Sequence, residues 1–428
     1  MSQAAGYRHT LGWNLGFSSY WFAVSYKWFV LLFIMLPDQV SRIVPGGEKN
    51  SAWGLVLGTG AVWAIFGPAI FGRLNETARG KWRDRRRWIA LGAVLTCVAL
   101  AMLATAPSLI LLALGYFVLQ VADDLGTGPY AGMVADTVPE DHRGYASSIM
   151  GALKLGGQLL SGVVALVCIL AGQTGLVYPL IGLITVVGAG LTLLTLGRPI
   201  MSEKADEERR AGNWFEDWVT PFRSRDFRLV WFNRFLSALA FGCISAYTLN
   251  FLKDMYGPRG EFKIGGLGLG TGDEGAKATA LILALLIALA GVVGSVYAAR
   301  VLDRIGRKPL MIWGGLATAL FLLPLAGFPP LSVVFGWLFL FGIGNGMYHA
   351  ADWALVSDIL PNKERASTEM GVWQSSETST QLIVGGVGWM VDALNRGALG
   401  QGYQALLVVA MVMFVASVAC VPGIRGTR

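Results

Sequence analysis

Apolar residues are gathered into twelve long blocks with short polar breaks between them, at 11–36, 53–73, 88–106, 108–135, 146–171, 176–197, 229–256, 278–300, 309–327, 331–357, 366–392 and 401–421. Most are close to the ~20 residues an α-helix needs to cross a bilayer core. Stretches such as Trp88 to Ala106, Leu176 to Leu196 and Ala278 to Ala299 are apolar on every side, the pattern of a helix bathed in lipid rather than water. The first block is too long for a cleaved signal peptide and is studded with Trp, Tyr and Asn, so it reads as a spanning helix. The pattern predicts an all-α membrane protein with 12 transmembrane helices in two pseudo-symmetric six-helix bundles, 1–197 and 229–428. Between them, 198–228 carries a run of charge (Glu203, Lys204, Glu207, Glu208, Arg209, Arg210) with Trp214, Phe215 and Trp218 interspersed. It reads as a cytoplasmic linker with an interfacial amphipathic helix. The Gly-rich stretch 257–277 reads as a mobile external loop without chemistry of its own.

Composition agrees: 54% of the chain is hydrophobic and 14% charged, against roughly 25% charged in a soluble protein. The net charge of +7 would suit nucleic acid, but most of the 34 Lys and Arg sit in short connections after the even-numbered spans. That asymmetry excludes nucleic acid as a partner and sets both termini on the cytoplasmic side of a multi-pass cell (inner) membrane protein. Cys97, Cys168, Cys243 and Cys420 are scattered through spans without metal-type spacing, and with three His in the chain neither a metal nor a cofactor is expected. No phosphate-binding G-x-x-x-x-G-K-[ST] loop occurs, which argues against an ATP-driven pump.

An internal repeat ties the halves together. Asp136-x-x-Pro139-x-x-x-Arg143 follows the fourth span, and Asp358-x-x-Pro361-x-x-x-Arg365 follows the tenth, 222 positions later (358 against 136). Arg86-Arg87 and Arg307-Lys308 repeat at 221 (307 against 86). Two matches at nearly one offset indicate duplication of a six-helix unit.

These loops resemble those of the major facilitator superfamily, and within it the sugar–cation symporters related to melibiose permease and plant sucrose carriers. Asp303-Arg304-Ile305-Gly306-Arg307-Lys308, preceded by Gly294, is similar to the superfamily's D-R-x-G-R-[RK] loop. In the first half Asn75 stands where that loop has Asp, and Asp84 stands in the usual glycine position before the arginine run. The fourth span, Leu119-Gln120-Val121-Ala122-Asp123-Asp124 through Gly128-Pro129-Tyr130-Ala131, resembles the sucrose-carrier pattern L-D-V-A-N-N-x-x-x-G-P-x-R-A. The resemblance implies a proton-coupling Asp at position 120, where this chain has Gln, and replaces the Asn pair by Asp123 and Asp124. Melibiose permease uses acids on its second helix for its cation; 53–73 has none, which makes sodium the less expected coupling ion.

Ionisable groups at mid-membrane cost ~2.5 kcal/mol or more, so those present tend to face a cavity and to act there. At 100° per residue Gln120, Asp123, Thr127 and Tyr130 share a face of the fourth helix, with Asp124 at its margin. Adjacent carboxyls in low dielectric do not both ionise easily, which suits proton exchange; alternatively one Asp pairs with a base such as Lys154 as a fixed contact. On the tenth helix Asn345, His349 and Asp352 share a face, so Asp352 with His349 is a second candidate protonatable pair, while His349 alone equally suits plain packing. The eleventh carries a stripe of Gln374, Glu377, Thr378 and Gln381, suited to a hydroxyl-rich substrate or to interhelical hydrogen bonds. Arg234 is expected to snorkel to the cytoplasmic face. Lys27 lies mid-span beside Trp21 and Trp28, where it would pair with a carboxylate while the aromatics stack on a sugar ring or simply pack.

The expectation is therefore a monomeric secondary transporter with a small-molecule substrate, a sugar or glycoside, moved with protons. Asp123, Asp124 and Asp352 are candidates for coupling. Gln120, Thr127, Tyr130, Lys27, Trp21, Asn345, His349, Gln374 and Glu377 are candidates for binding, and Asp136, Arg143, Asp303, Arg307, Asp358 and Arg365 for cytoplasmic gating. An exporter of amphipathic compounds and a transport-inactive assembly factor or sensor remain alternatives.

Overall fold

The computed structural model describes residues 10–44, 46–131, 133, 137–139, 142–199, 214–258, 260, 262–264, 267–359 and 366–425. Long helices dominate: α1 (Leu11–Ile43), α2 (Lys49–Thr77), α3 (Arg85–Thr105), α4 (Leu109–Ala131), α5 (Arg143–Leu170), α6 (Val177–Leu196), α7 (Arg225–Met255), α8 (Gly272–Ile305), α9 (Arg307–Leu322), α10 (Leu331–Ile359), α11 (Ala366–Asn395) and α12 (Gln401–Cys420). Eleven of the described helices are long and apolar enough to cross a membrane. The twelfth is α11, whose Ser, Thr, Gln and Glu stripe lowers its hydropathy. Side chains such as Ile110, Val98, Leu194, Leu320 and Val412 stand exposed on the outer faces, as expected where lipid is the solvent.

Helix ends differ from the sequence pattern where polar residues continue a helix beyond the hydrocarbon. With 34 residues, α8 is about 50 Å long at 1.5 Å per residue. It begins at Gly272, inside the stretch expected to be loop, and the described part of that stretch also pairs Lys263–Ile264 with Leu267–Gly268 as a two-stranded antiparallel ribbon. In α1 the helix continues past Leu36 through a π-helical turn, Leu31–Met35, that starts four residues after Lys27. Such turns insert an extra residue and recur at functional sites. Among the described residues of the linker, Trp214–Val219 forms a short helix.

Packing divides the chain into two compact units, Met1–Met35 with Thr59–Gly212, and Leu36–Gly58 with Asn213–Arg428. In the first, α1 packs on α5 and α6, and α4 on α3. Its core includes Trp13, Phe17, Tyr20, Ile89 and Tyr130. The Tyr130 hydroxyl donates to the Phe17 carbonyl at 2.5 Å, tying α4 to α1. In the second, α10 packs on α8 and α9, and α7 on α11 and α12. Phe227, Val230, Trp231, Tyr348 and Trp373 lie in its core.

The repeated basic loops are built differently in the two units. Between α8 and α9 the chain turns at one residue, Gly306, whose φ of 93° suits glycine. In the first unit the chain passes through a 3₁₀ turn, Gly80–Arg83, and Asp84 at φ −74° caps α3, its Oδ1 accepting from the Arg86 amide at 3.1 Å. Extended backbone there removes the need for glycine and allows a capping acid. Asn75 Nδ2 donates to the Trp82 and Arg83 carbonyls at 3.2 and 3.3 Å, and the Arg85 guanidinium turns inward to the Pro129 carbonyl at 2.6 Å.

Candidate functional site

In the first unit the acids of α4 meet a cation from α1. Lys27 is 1% exposed and forms an ion pair with Asp123, whose other oxygen accepts from Trp28 Nε1 at 2.7 Å. Two donors thus balance the Asp123 charge in a site closed to solvent, as a buried carboxylate requires. Thr127, expected to face substrate, donates instead to the Asp123 carbonyl of its own helix at 3.0 Å. Lys154 holds its ammonium 3.7 Å from the centre of the Trp21 ring, a cation–π contact between α5 and α1. Tyr130 sits among Phe17, Tyr20 and Trp21 with ring centroids 5.2 to 5.8 Å away.

Asp124 is placed differently. It is buried, and Gln120, one turn earlier, hydrogen-bonds its carboxyl. Its Oδ2 faces Trp63 Nε1, which also contributes a hydrogen bond to the carboxyl. Both atoms lie against Gly67 of α2, where a Cβ would overlap them. Of the two adjacent acids, one is therefore neutralised by a cation and the other is not.

The second unit also joins a cation on its first helix to an acid on its fourth. Arg234 on α7 is buried, rather than reaching for the cytoplasmic face as its sequence position suggests. Its Nη1 donates to Asp352 Oδ2 on α10 at 2.8 Å, and its Nη2 to Glu377 Oε2 on α11 at 2.8 Å. The guanidinium lies 4.0 Å from the Trp373 ring centre and 5.7 Å from that of Trp353. Two carboxylates and two aromatic faces hold the side chain inward, outweighing the pull of the interface. His349 packs edge-on to Tyr348 at 5.6 Å, and Asp352 pairs with Arg234 rather than with His349. Asn345 Oδ1 on the same helix has no hydrogen-bond partner among the described residues. On α11 the hydroxyls of Ser375, Ser376, Ser379 and Thr380 donate to carbonyls of their own helix, leaving Gln374 and Glu377 exposed.

A polar network missed by sequence reasoning lies elsewhere in this unit. Asp38, 1% exposed, receives Lys253 Nζ at 2.7 Å, Lys277 Nζ at 3.4 Å and Arg42 at 2.9 Å. Asp392 accepts from the Ser51 amide and hydroxyl, both at 2.7 Å, and from Asn50 Nδ2 at 2.8 Å, at the start of α2. Asp38 follows Pro37 just past the last apolar run and so reads as loop; the helix carries on through it. Of the gating candidates, Asp136 and Arg365 lie outside the described residues, as do the side chains of Arg143, Asp303 and Asp358; Arg307 opens α9.

The Major Facilitator Superfamily family model matches residues 50–385 and 269–425. The chain belongs to the major facilitator superfamily. Solved structures of superfamily-like transporters agree in fold across almost the whole length. A point mutant of the nucleoside transporter NupG is 14% identical, covering 96% of this chain and 99% of that one with a TM-score of 0.73. A POT family transporter in complex with 5-aminolevulinic acid is 16% identical, covering 96% of each chain at a TM-score of 0.70. The bacterial homologue of the human lysosomal transporter Spinster is 15% identical, covering 97% of each at 0.65. Among curated proteins the chain is similar to the glucose facilitated diffusion protein of Zymomonas mobilis, 27% identical over 144 residues; the match spans 31% of this chain and 29% of that protein's length. This superfamily chain is a multi-pass, helical membrane transporter.

Proposed function

We propose that this transporter is a secondary active carrier that moves a sugar or glycoside together with a proton by alternating access. The observation that carries the coupling is the contrast between Asp123 and Asp124: Asp123 is held by Lys27 and Trp28, whereas Asp124 is buried beside Gln120 and Trp63 with no cation paired to it among the described residues. Asp124 can gain or lose a proton without breaking an ion pair, which is what a coupling group needs. Asp352, already bound to Arg234, is a second coupling candidate whose proton would release the arginine.

A sugar is supported by the amide and carboxyl groups of Gln120, Asn345, Gln374 and Glu377, which match hydroxyls, and by the similarity to a glucose facilitator over part of the chain. Binding near the middle of the spans and rocking of the repeats is the mode such folds use. Asp136 with Arg143, Asp303 with Arg307, and Asp358 with Arg365 are proposed as cytoplasmic gates, with both termini on that side. The chain is proposed to act as a monomer.

The test is uptake into proteoliposomes. An inward proton gradient should drive accumulation of a sugar or glycoside, and Asp124→Asn should abolish accumulation while sparing counterflow exchange. Accumulation that ignores the gradient, or persists in the variant, overturns the coupling assignment.

A further inference from the structure

The connection between α2 and α3 in the first unit carries more cations than its own fold uses. Arg85 turns inward to the Pro129 carbonyl, and Arg86 Nη1 donates to the Gly197 carbonyl at 3.3 Å. Arg79, Lys81 and Arg87 stand exposed, and none of the three pairs with an acid among the described residues. Asp84, the acid within this run, is 8% exposed and caps α3 through the Arg86 amide. In the second unit the repeat's Lys308 is already occupied, its Nζ donating to the Ile424 carbonyl at 2.6 Å.

The surface that continues from these cations is apolar. Arg87 heads a stripe of α3 that runs on through Leu91, Val94, Val98 and Ala101, all exposed and spaced by four, three, four and three residues, so that they share one face. From Leu91 to Ala101 that face is about 15 Å long at 1.5 Å per residue, half of a hydrocarbon core of ~30 Å. Beside the cations an indole is fixed. Trp82, 45% exposed, meets Trp88 edge-on with ring centroids 5.9 Å apart, and Trp88 Nε1 donates to the Trp82 carbonyl at 2.7 Å. Indoles favour the level of the lipid headgroups.

We infer that this face binds one anionic phospholipid. Its phosphate sits against Lys81 and Arg87 with Arg79 nearby, Trp82 lies at the level of its glycerol, and an acyl chain follows Leu91, Val94 and Val98. Free cations above an apolar face one leaflet long match a charged headgroup with its chain attached. A soluble anion would use the cations and leave the stripe uncovered. A zwitterionic headgroup would bring a further cation among three that have no acid.

The experiment is native mass spectrometry of the purified full chain, with phosphatidylglycerol and phosphatidylcholine of equal chain length offered together. The wild type should retain phosphatidylglycerol in preference, and the double variant Lys81→Gln with Arg87→Gln should lower that preference about tenfold. Arg223→Gln removes an exposed cation of the linker and should leave the preference unchanged. sn-Glycerol 1-phosphate, which has the charge without the chains, should not displace the lipid at tenfold excess. Equal retention of the two lipids by the wild type, or a loss in Arg223→Gln as large as in the double variant, overturns the inference. Displacement by glycerol phosphate also overturns it, because the site would then be one for a soluble anion.

Discussion

Lys27 on α1 and Asp123 on α4 form a buried ion pair, and Trp28, the next residue of α1, closes the other carboxylate oxygen. Lys27→Ala leaves Asp123 buried without its cation. It should destabilise the protein by about 3–5 kcal/mol, and the double variant with Asp123→Ala should cost clearly less than that single change. Chemical denaturation in detergent followed by tryptophan fluorescence measures the difference. A double-variant loss equal to the sum of the two single losses would show that the pair is not coupled.

Gly67 lies under the Asp124 carboxyl and Trp63. Gly67→Ala pushes a methyl into both, and overpacking of this kind costs about 1–3 kcal/mol. The substitution should lower the melting temperature and impair uptake together. Asp124→Asn should leave the melting temperature unchanged or raised while removing accumulation, because no ion pair is broken.

Asn75 donates from Nδ2 to two carbonyls of the basic loop. Asp at this position, the residue of the family's loop, has no donor when ionised and would face both carbonyls with negative charge. Asn75→Asp is expected to destabilise by about 1–3 kcal/mol. Proteolytic susceptibility of the loop around Lys81 gives a local readout; a variant as resistant as wild type would refute the role.

Asp392 caps the start of α2 through the Ser51 amide and hydroxyl. Asp392→Ala removes an acid from a helix N-terminus and should cost about 1–2 kcal/mol. Asp38→Ala removes the buried carboxylate that Lys253 and Lys277 share, while Lys253 keeps Asp273 and Lys277 keeps Glu274, and it should cost about 1.5–3 kcal/mol. Their order in thermal melts checks which contact dominates that network.

Twelve spans and their solvent were legible from residue order alone. Hydropathy is a local sum, and the helix bounds of α3, α5 and α6 fall within a few residues of the apolar blocks. Where polar residues extend a helix past the hydrocarbon, as at Asp38 in α1 and Gly272 in α8, hydropathy stops short and the boundary was misplaced. The acids of α4 and α10 stood out too, since charge inside an apolar block is conspicuous.

Which charge meets which was not legible. Lys27 lies 96 residues from Asp123, Arg234 lies 118 from Asp352 and 143 from Glu377, and no local pattern encodes such distances. Helix rotation and packing decide them: the turn of α1 that aims Lys27 at α4, and the two tryptophans that keep Arg234 inside its unit rather than at the interface. The sequence by itself determined that the chain is a bundle of spanning helices with acids in its core. Only the tertiary structure decided that Asp123 is neutralised and Asp124 is not, because an ion's partner is set by three-dimensional proximity in low dielectric, where one contact outweighs all that is near along the chain.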